Sequence, residues 1–299
     1  MVNHPLRFRY RPKTQDEMMI KEVYFDNCYH LPKQFQATDV VLDIGAHIGS
    51  FSLACLERGC QRLWAYEPAP ENHRYLLQNL RDSQPRWPLA KWEVRGEAVI
   101  ACDYDESHRR RFYYTGDQNS ACGHLVGHRD EVTPTSYFVD TVTFAEAVKR
   151  ALDQGESASM IRFCKMDIEG EEIPILMQAD QPHMRWALDR IAELAFEYHA
   201  DIFETLKLKL EEAGFEDIAL DPVHPAIPLT QQGLLFARHT AMLYGNAEVE
   251  SSVEQSEGPQ EPRVIVPDGL ISKVIHHGKD ERAGVADSQG DRGEGPASS

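Results

Sequence analysis

The chain has 299 residues, 42% of them hydrophobic, which is enough for one large α/β domain with a real core. Its formal net charge is −17; eleven acidic and five basic residues after Tyr244, a net −6, leave −11 to the body. That acidic field disfavours a nucleic-acid backbone and an anionic membrane as partners, and no stretch approaches the ~20 apolar residues of a membrane span.

The six cysteines, Cys28, Cys55, Cys60, Cys102, Cys122 and Cys164, are dispersed with no C-x-x-C pair. They read as reduced thiols in a cytoplasmic protein. The N-terminal MVNHPLRFRYRPK carries charge without an apolar run, so no signal peptide is expected.

From Val40 the pattern alternates strand and helix. DVVLDIG predicts a buried strand and SFSLACLERG a helix, with Gly59 just past its end. RLWAYEP predicts the next strand, PENHRYLLQNLRD a helix with Tyr75, Leu76 and Leu80 at helical spacing, and KWEVRGEAVI one further strand. Residues 101 to 138 read as a strand pair and loops. TFAEAVKRALDQG predicts a helix with a capping box of Thr143 and Glu146. IRFCKMDIEG reads as a strand, EEIPILMQAD as a helix tolerating Pro174 in its first turn, RIAELAFEYH as a strand, and ADIFETLKLKLEEAGF as an amphipathic helix ending at Gly214. DIALDP and GLLFARH complete the strands.

Such alternation predicts a mostly parallel, doubly wound sheet covered on both faces. The expected division is an N-terminal segment, 1–39, covering the pocket, a Rossmann-like domain at 40–244, and an acidic tail at 245–299. The tail is too polar to offset its ordering entropy and is expected to be disordered.

In an open parallel sheet, ligands bind at the carboxyl ends of the strands. Asp43, Gly45 and Gly49 fall there, after the first strand. The dinucleotide fingerprint G-x-G-x-x-G would need a glycine where His47 stands, so NAD and FAD fit poorly. Asp-x-Gly-x-x-x-Gly followed by Glu67 at the end of the next strand instead resembles the S-adenosylmethionine site of Rossmann-like methyltransferases. A carboxylate at Glu67 is suited to accept from both ribose hydroxyls.

DIGAHIGSFS, YEPAPENHRYLLQNL, GEAVI, KMDIEGEE and FEYH follow one another in the order seen in the FkbM-type family of S-adenosylmethionine-dependent methyltransferases. The resemblance spans roughly residues 16 to 240. It implies a class I methyltransferase fold and, from the family's habits, O-methylation of a small molecule such as a secondary metabolite or sugar, with S-adenosylhomocysteine as product. It further implies that Ala46, His47, Ser50 and Phe51 in the first motif, Pro68 in the second, Glu97 and Ala98 in the third, and Asn119 and Ser120 in GDQNSACGH lie beside the cofactor, together with Asp167. Read from its residue type alone, Phe51 is a core side chain.

The chemistry-bearing residues cluster at the next two strand ends. Strand alternation would put Lys165, Asp167 and Glu169 on one side, with Glu197 and His199 on the neighbouring strand. His199 or Asp167 is a candidate general base, Lys165 and Glu169 candidate orienting groups, and Glu172 a structural carboxylate. Asp167, Glu169, Glu197 and His199 could alternatively hold Mg²⁺, though the metal-free reading is preferred. Other readings are N- or C-methylation, and a non-catalytic interaction protein that kept the fold. The sequence names neither the acceptor nor the oligomeric state.

Overall fold

The computed structural model of the chain describes residues 6–102, 108–113, 124–125, 136–153, 159–198, 202–222, 232–240 and 242. Asn119, Ser120, Cys122 and His199, and the acidic tail, lie outside the described residues.

Among the described residues the first helix is α1 (Asp16–Met19), which runs on as π-helical turns (Ile20–Phe25), and the chain then enters the first strand of the main sheet, β1 (Val40–Ile44). Next come α2 (Ser50–Glu57), β2 (Arg62–Tyr66) and α3 (Pro70–Ser83), with a 3₁₀ turn (Gln84–Arg86) before β3 (Lys91–Arg95) and β4 (Glu97–Ile100). β5 (Arg109–Tyr113), β6 (His124–Leu125), β7 (Ser136–Thr143) and α4 (Phe144–Asp153) follow. The chain then forms β8 (Phe163–Met166), α5 (Glu172–Met177), α6 (Pro182–Leu188), β9 (Glu193–Tyr198), α7 (Phe203–Glu212), β10 (Asp217–Asp221) and β11 (Gly233–Arg238).

The main sheet has the order β10-β11-β9-β8-β1-β2-β3. Its pairs from β9 to β3 are parallel, and β11 runs antiparallel to both its neighbours. β1 therefore lies inside the sheet, which explains its continuous apolar run. Side-chain alternation divides the core in two. Val40, Leu42 and Ile44 pack with Trp64, Met166, Phe196 and the residues of α4 to α7. Val41 faces the other way, with Leu63, Phe163, Ala195 and Phe236, onto α2, α3 and the N-terminal residues Leu6, Val23, Tyr29 and Phe35. Each such buried side chain contributes about 1.5–3 kcal/mol. The N-terminal segment thus forms part of one core layer.

KWEVRGEAVI is not one strand. It breaks at Gly96, so β3 ends the main sheet while β4 joins a second sheet of order β4-β7-β5-β6. The break turns Glu97 and Ala98 back over the strand ends. Only half of the expected capping box forms: Thr143 Oγ1 accepts from the Glu146 N–H at 3.2 Å, but the Glu146 carboxylate pairs with Arg150. The helix α6 is an addition to the sequence reading, started by Pro182 in its first turn. Among the described residues no helix is long and apolar enough to cross a membrane.

Candidate functional site

The parallel register sets one row of residues across the sheet: Ala65 opposite Asp43, Asp43 opposite Lys165, and Lys165 opposite Ala195. Two residues further on, at the strands' carboxyl ends and on the same face, come Glu67, Gly45, Asp167 and Glu197.

At these ends lies an open cleft, about 610 Å³ when the space at its solvent-filled mouth is counted. Of the candidate residues, Gly45, His47, Glu67, Pro68, Glu97, Ala98, Asp167 and Glu169 line it. Glu67 is 5% exposed and organises the floor: Oε2 accepts from the His47 N–H at 2.7 Å and Oε1 from the Ala69 N–H at 2.8 Å. Burial raises its pKa, against the opposing pull of His47, the two N–H groups and Lys165.

Gly45 is required by contact as well as by conformation. Its φ is +77°, and a Cβ there would stand 1.8 Å from the carbonyl oxygen of Asp167. The β1 turn and the β8 end therefore touch directly beneath the cleft.

Six of the described cofactor and catalytic candidates are not in its lining. Asp43 is fully buried below the turn, because its parity with Val41 points it at α2; Ser52 Oγ donates to its Oδ2 at 2.6 Å. Phe51 is core, packed between Tyr29 and Phe163, and Ala46 and Ser50 are buried as well. Gly49 shapes the turn from beneath: it precedes α2 at φ +95°, and a Cβ there would meet Leu76 Cδ1 at 2.8 Å. Lys165, 3% exposed, is an anchor below the cleft, donating to the Gly45 carbonyl at 2.5 Å and standing 3.6 Å from both Asp43 Oδ1 and Asp167 Oδ2. Burial works against its charge, but Asp167, Asp43 and Glu67 outweigh that and its pKa is raised. Burial also raises the pKa of Asp43 despite Lys165. The cation is thus shared, with Asp167 its more exposed partner.

The expected alternation of Lys165, Asp167 and Glu169 stops early. β8 ends at Met166, and Glu169 takes φ +57° in a turn. Glu172 builds that turn, accepting from the N–H of Ile168 at 2.5 Å and of Gly170 at 2.8 Å. It is buried, which pushes its pKa up to about 7. Asp167 and Glu169 still reach the same cleft by this route.

On the side away from Glu67, Asp167 meets the N-terminal segment. Tyr29, 2% exposed, donates its hydroxyl to Asp167 Oδ2 at 2.8 Å, and the Lys165 ammonium lies 5.7 Å from the Tyr29 ring centroid. Glu197 is beside them and accepts from Gln232 Nε2. Burial first, then the charge of Asp167, raises its pKa to about 8, which favours its neutral form. Among the described residues no group of three or more His, Cys, Asp or Glu side chains has the arrangement of a metal site.

The sequence reading missed Met19, Asn72, Phe112 and Glu171 in the lining. For Asn72 a signal was present, since a polar residue on the helix face next to a glycine turn is well placed to point at it. Met19 and Phe112 reach the cleft by tertiary packing and had none.

Residues 43–216 match the model of the methyltransferase FkbM domain. The curated methyltransferase sdnD of Sordaria araneosa is 23% identical over 230 residues, covering 68% of this chain and 83% of that protein. Among solved structures, the FkbM methyltransferase of Methylobacillus flagellatus KT is 21% identical over 76% of this chain, with a TM-score of 0.43. This chain spans 48% of that protein, about half its length. The N-terminal domain of human METTL16 in complex with SAH is 12% identical, with coverage of 78% of this chain and 72% of that one and a TM-score of 0.38. With the family match extending over more than half of its length, the chain belongs to the FkbM family of methyltransferases.

Proposed function

We propose that the protein is an S-adenosylmethionine-dependent methyltransferase that methylates a hydroxyl oxygen of a small molecule. The observation that carries this reading is the charge of the cleft. Among the described residues its charged lining consists of Glu67, Glu97, Asp167, Glu169 and Glu171, with no Lys or Arg, although Glu97 is paired with Arg150 at 3.1 Å. Carboxylates suit a ligand with an ammonium and a sulfonium, and repel a pyrophosphate or a nucleic-acid backbone. The Gly45 turn, closed against Asp167, lets a ligand approach backbone. Glu67, Pro68, Glu97 and Ala98 are the residues proposed to hold the nucleoside, and Gly45, His47 and Asp167 the amino-acid end.

Bound there, S-adenosylmethionine supplies an electrophilic methyl group, and S-adenosylhomocysteine remains after transfer. The protein's part is alignment and proton removal. Asp167 is the proposed base, because its carboxylate faces the cleft while Tyr29 and Lys165 fix it from behind. His199 follows β9 directly in sequence and is the second candidate. Glu197, whose neutral form is favoured by burial and by Asp167, is a proposed donor to an acceptor oxygen. A metal-free reaction is favoured over one with Mg²⁺. The described cysteines, Cys28, Cys55, Cys60, Cys102 and Cys164, are free thiols, which supports a cytoplasmic location.

The test is incubation with S-adenosylmethionine and a panel of hydroxylated metabolites and sugars, read as a mass gain of one methylene. Turnover that survives EDTA and falls about 10²–10⁴-fold in Asp167→Asn or His199→Ala supports the base reading. Turnover abolished by EDTA and restored by Mg²⁺ overturns it in favour of metal ligation. Methylation on nitrogen or carbon overturns the O-specific part alone.

A further inference from the structure

The family match begins at Asp43, yet residues ahead of it reach the turn that shapes the cleft. Arg11 and Asp16, 6% and 0% exposed, form a forked ion pair. Arg11 Nε donates to Asp16 Oδ2 at 3.0 Å, Nη2 to Oδ1 at 2.9 Å, and its backbone N–H to Oδ2 at 2.8 Å. Thr14 Oγ1 ties this hairpin of chain together, accepting from the Asp16 N–H at 3.1 Å and donating to the Arg11 carbonyl at 2.9 Å.

The pair is not self-contained. Asp16 Oδ1 stands 3.3 Å from His47 Nε2, and Arg11 Nη2 donates to Asn72 Oδ1 at 2.6 Å. The guanidinium also stands 5.2 Å from the Tyr75 ring centroid, with Nη1 3.5 Å from Glu71 Oε2. His47 and Asn72 both line the cleft. Burial would raise the Asp16 pKa, but His47 and Arg11 hold it well below the usual carboxylate range.

Two physical points give this cluster a purpose. A buried ion pair contributes little net stability, because desolvation offsets most of the attraction; its best-attested use is to fix geometry. Here the geometry fixed is an uncommon one: His47 has φ +51°, a left-handed conformation that persists in a non-glycine residue only where its surroundings hold it. That conformation aims the His47 N–H at Glu67 Oε2.

We propose that Arg11 and Asp16 are positioning residues of the methyl-donor site. They hold the His47 imidazole, and so set the backbone N–H that orients Glu67; Arg11 and Asp16 thereby set donor affinity without touching the donor. The proposal rests on the reading of the cleft as an S-adenosylmethionine site.

The experiment is calorimetric titration of the full chain with S-adenosylhomocysteine. The variants are Arg11→Lys and Asp16→Asn, alone and combined with His47→Ala, plus Glu57→Gln as a control. Glu57 pairs with Arg86 at 2.7 Å, away from the cleft. Arg11→Lys and Asp16→Asn should each weaken binding about tenfold, within the range for residues coupled through one hydrogen-bond network. In the His47→Ala background neither should add more than about twofold, and Glu57→Gln should leave affinity unchanged. Because Asp16 is fully buried, Arg11→Lys, which keeps the charge and loses the fork, carries the test if Asp16→Asn does not fold. Wild-type binding with unchanged affinity in Arg11→Lys overturns this inference alone. A tenfold loss that persists undiminished in the His47→Ala background also overturns it, since the effect would not pass through His47. No binding by the wild type overturns the donor reading and this inference with it.

Discussion

Gly45→Ala is the substitution for which the structure gives the most definite outcome. At φ +77° an L-residue costs about 1–2 kcal/mol. The added Cβ would also lie 1.8 Å from the Asp167 carbonyl oxygen, which is backbone and cannot rotate away. The ends of β1 and β8 must part to relieve that contact, and overpacking of this kind costs a further ~1–3 kcal/mol. At roughly 2–4 °C per kcal/mol for a domain of this size, the melting temperature should fall by about 10 °C. Gly49→Ala is the matched comparison. Its φ is +95°, so the backbone cost is similar, but its Cβ would meet Leu76 Cδ1 at 2.8 Å, the tip of a flexible side chain. It should lose about half as much. Differential scanning calorimetry measures both, and titration with S-adenosylhomocysteine should show the larger affinity loss for Gly45→Ala. If Gly45→Ala melts within about 2 °C of the wild type, or less severely affected than Gly49→Ala, the close β1–β8 contact is wrong.

Other expectations follow from the same geometry. Glu67→Ala should weaken S-adenosylhomocysteine binding by about 1.5–3 kcal/mol, the range for hydrogen bonds to a charged group; unchanged affinity by calorimetry removes Glu67 from the site. Glu197 has a folded pKa of about 8 against an ordinary 4.5, so between these values the unfolded chain has released its proton while the folded one retains it. Stability should therefore fall as pH rises from about 4.5 to about 8, with Glu172, raised to about 7, contributing in the same direction. Glu197→Gln should flatten that slope in urea titrations at successive pH values, and a slope unaltered by the substitution contradicts the assignment. A chain ending at Tyr244 should keep the full-length melting temperature and donor affinity, because the tail lacks the apolar surface to pack; insolubility would move the domain boundary into residues 245–299.

The strands were legible because β1, β8 and β9 are mostly apolar, and β1 is buried along its length since both its faces are covered. The turn was legible because Gly45 and Gly49 stand where only glycine is comfortable. Glu67 was legible for the same positional reason, at the end of the adjacent strand. Asp43 lies buried beneath the cleft and not in its described lining; its parity with Val41 and the lysine opposite were the signs of that position. The break at Gly96 was hidden because either half reads as strand. The sequence put Tyr29 and the N-terminal segment over the pocket, but the bond from Tyr29 to Asp167 and that from Arg11 to Asn72 were out of reach of local pattern, since these partners lie 138 and 61 residues away in sequence. Long-range polar contacts of this kind depend on the fold's register, which periodicity does not give.

The central claim is that the carboxylate-lined cleft at the ends of β1, β2 and β8 holds the methyl donor. A crystal structure of the protein grown with S-adenosylhomocysteine tests it most directly. The account predicts the ribose hydroxyls on Glu67 and the homocysteine end over Gly45 and Asp167, with Tyr29 and Lys165 still behind the Asp167 carboxylate. A ligand bound elsewhere, or a cleft that stays empty of it at saturating concentration, contradicts the account.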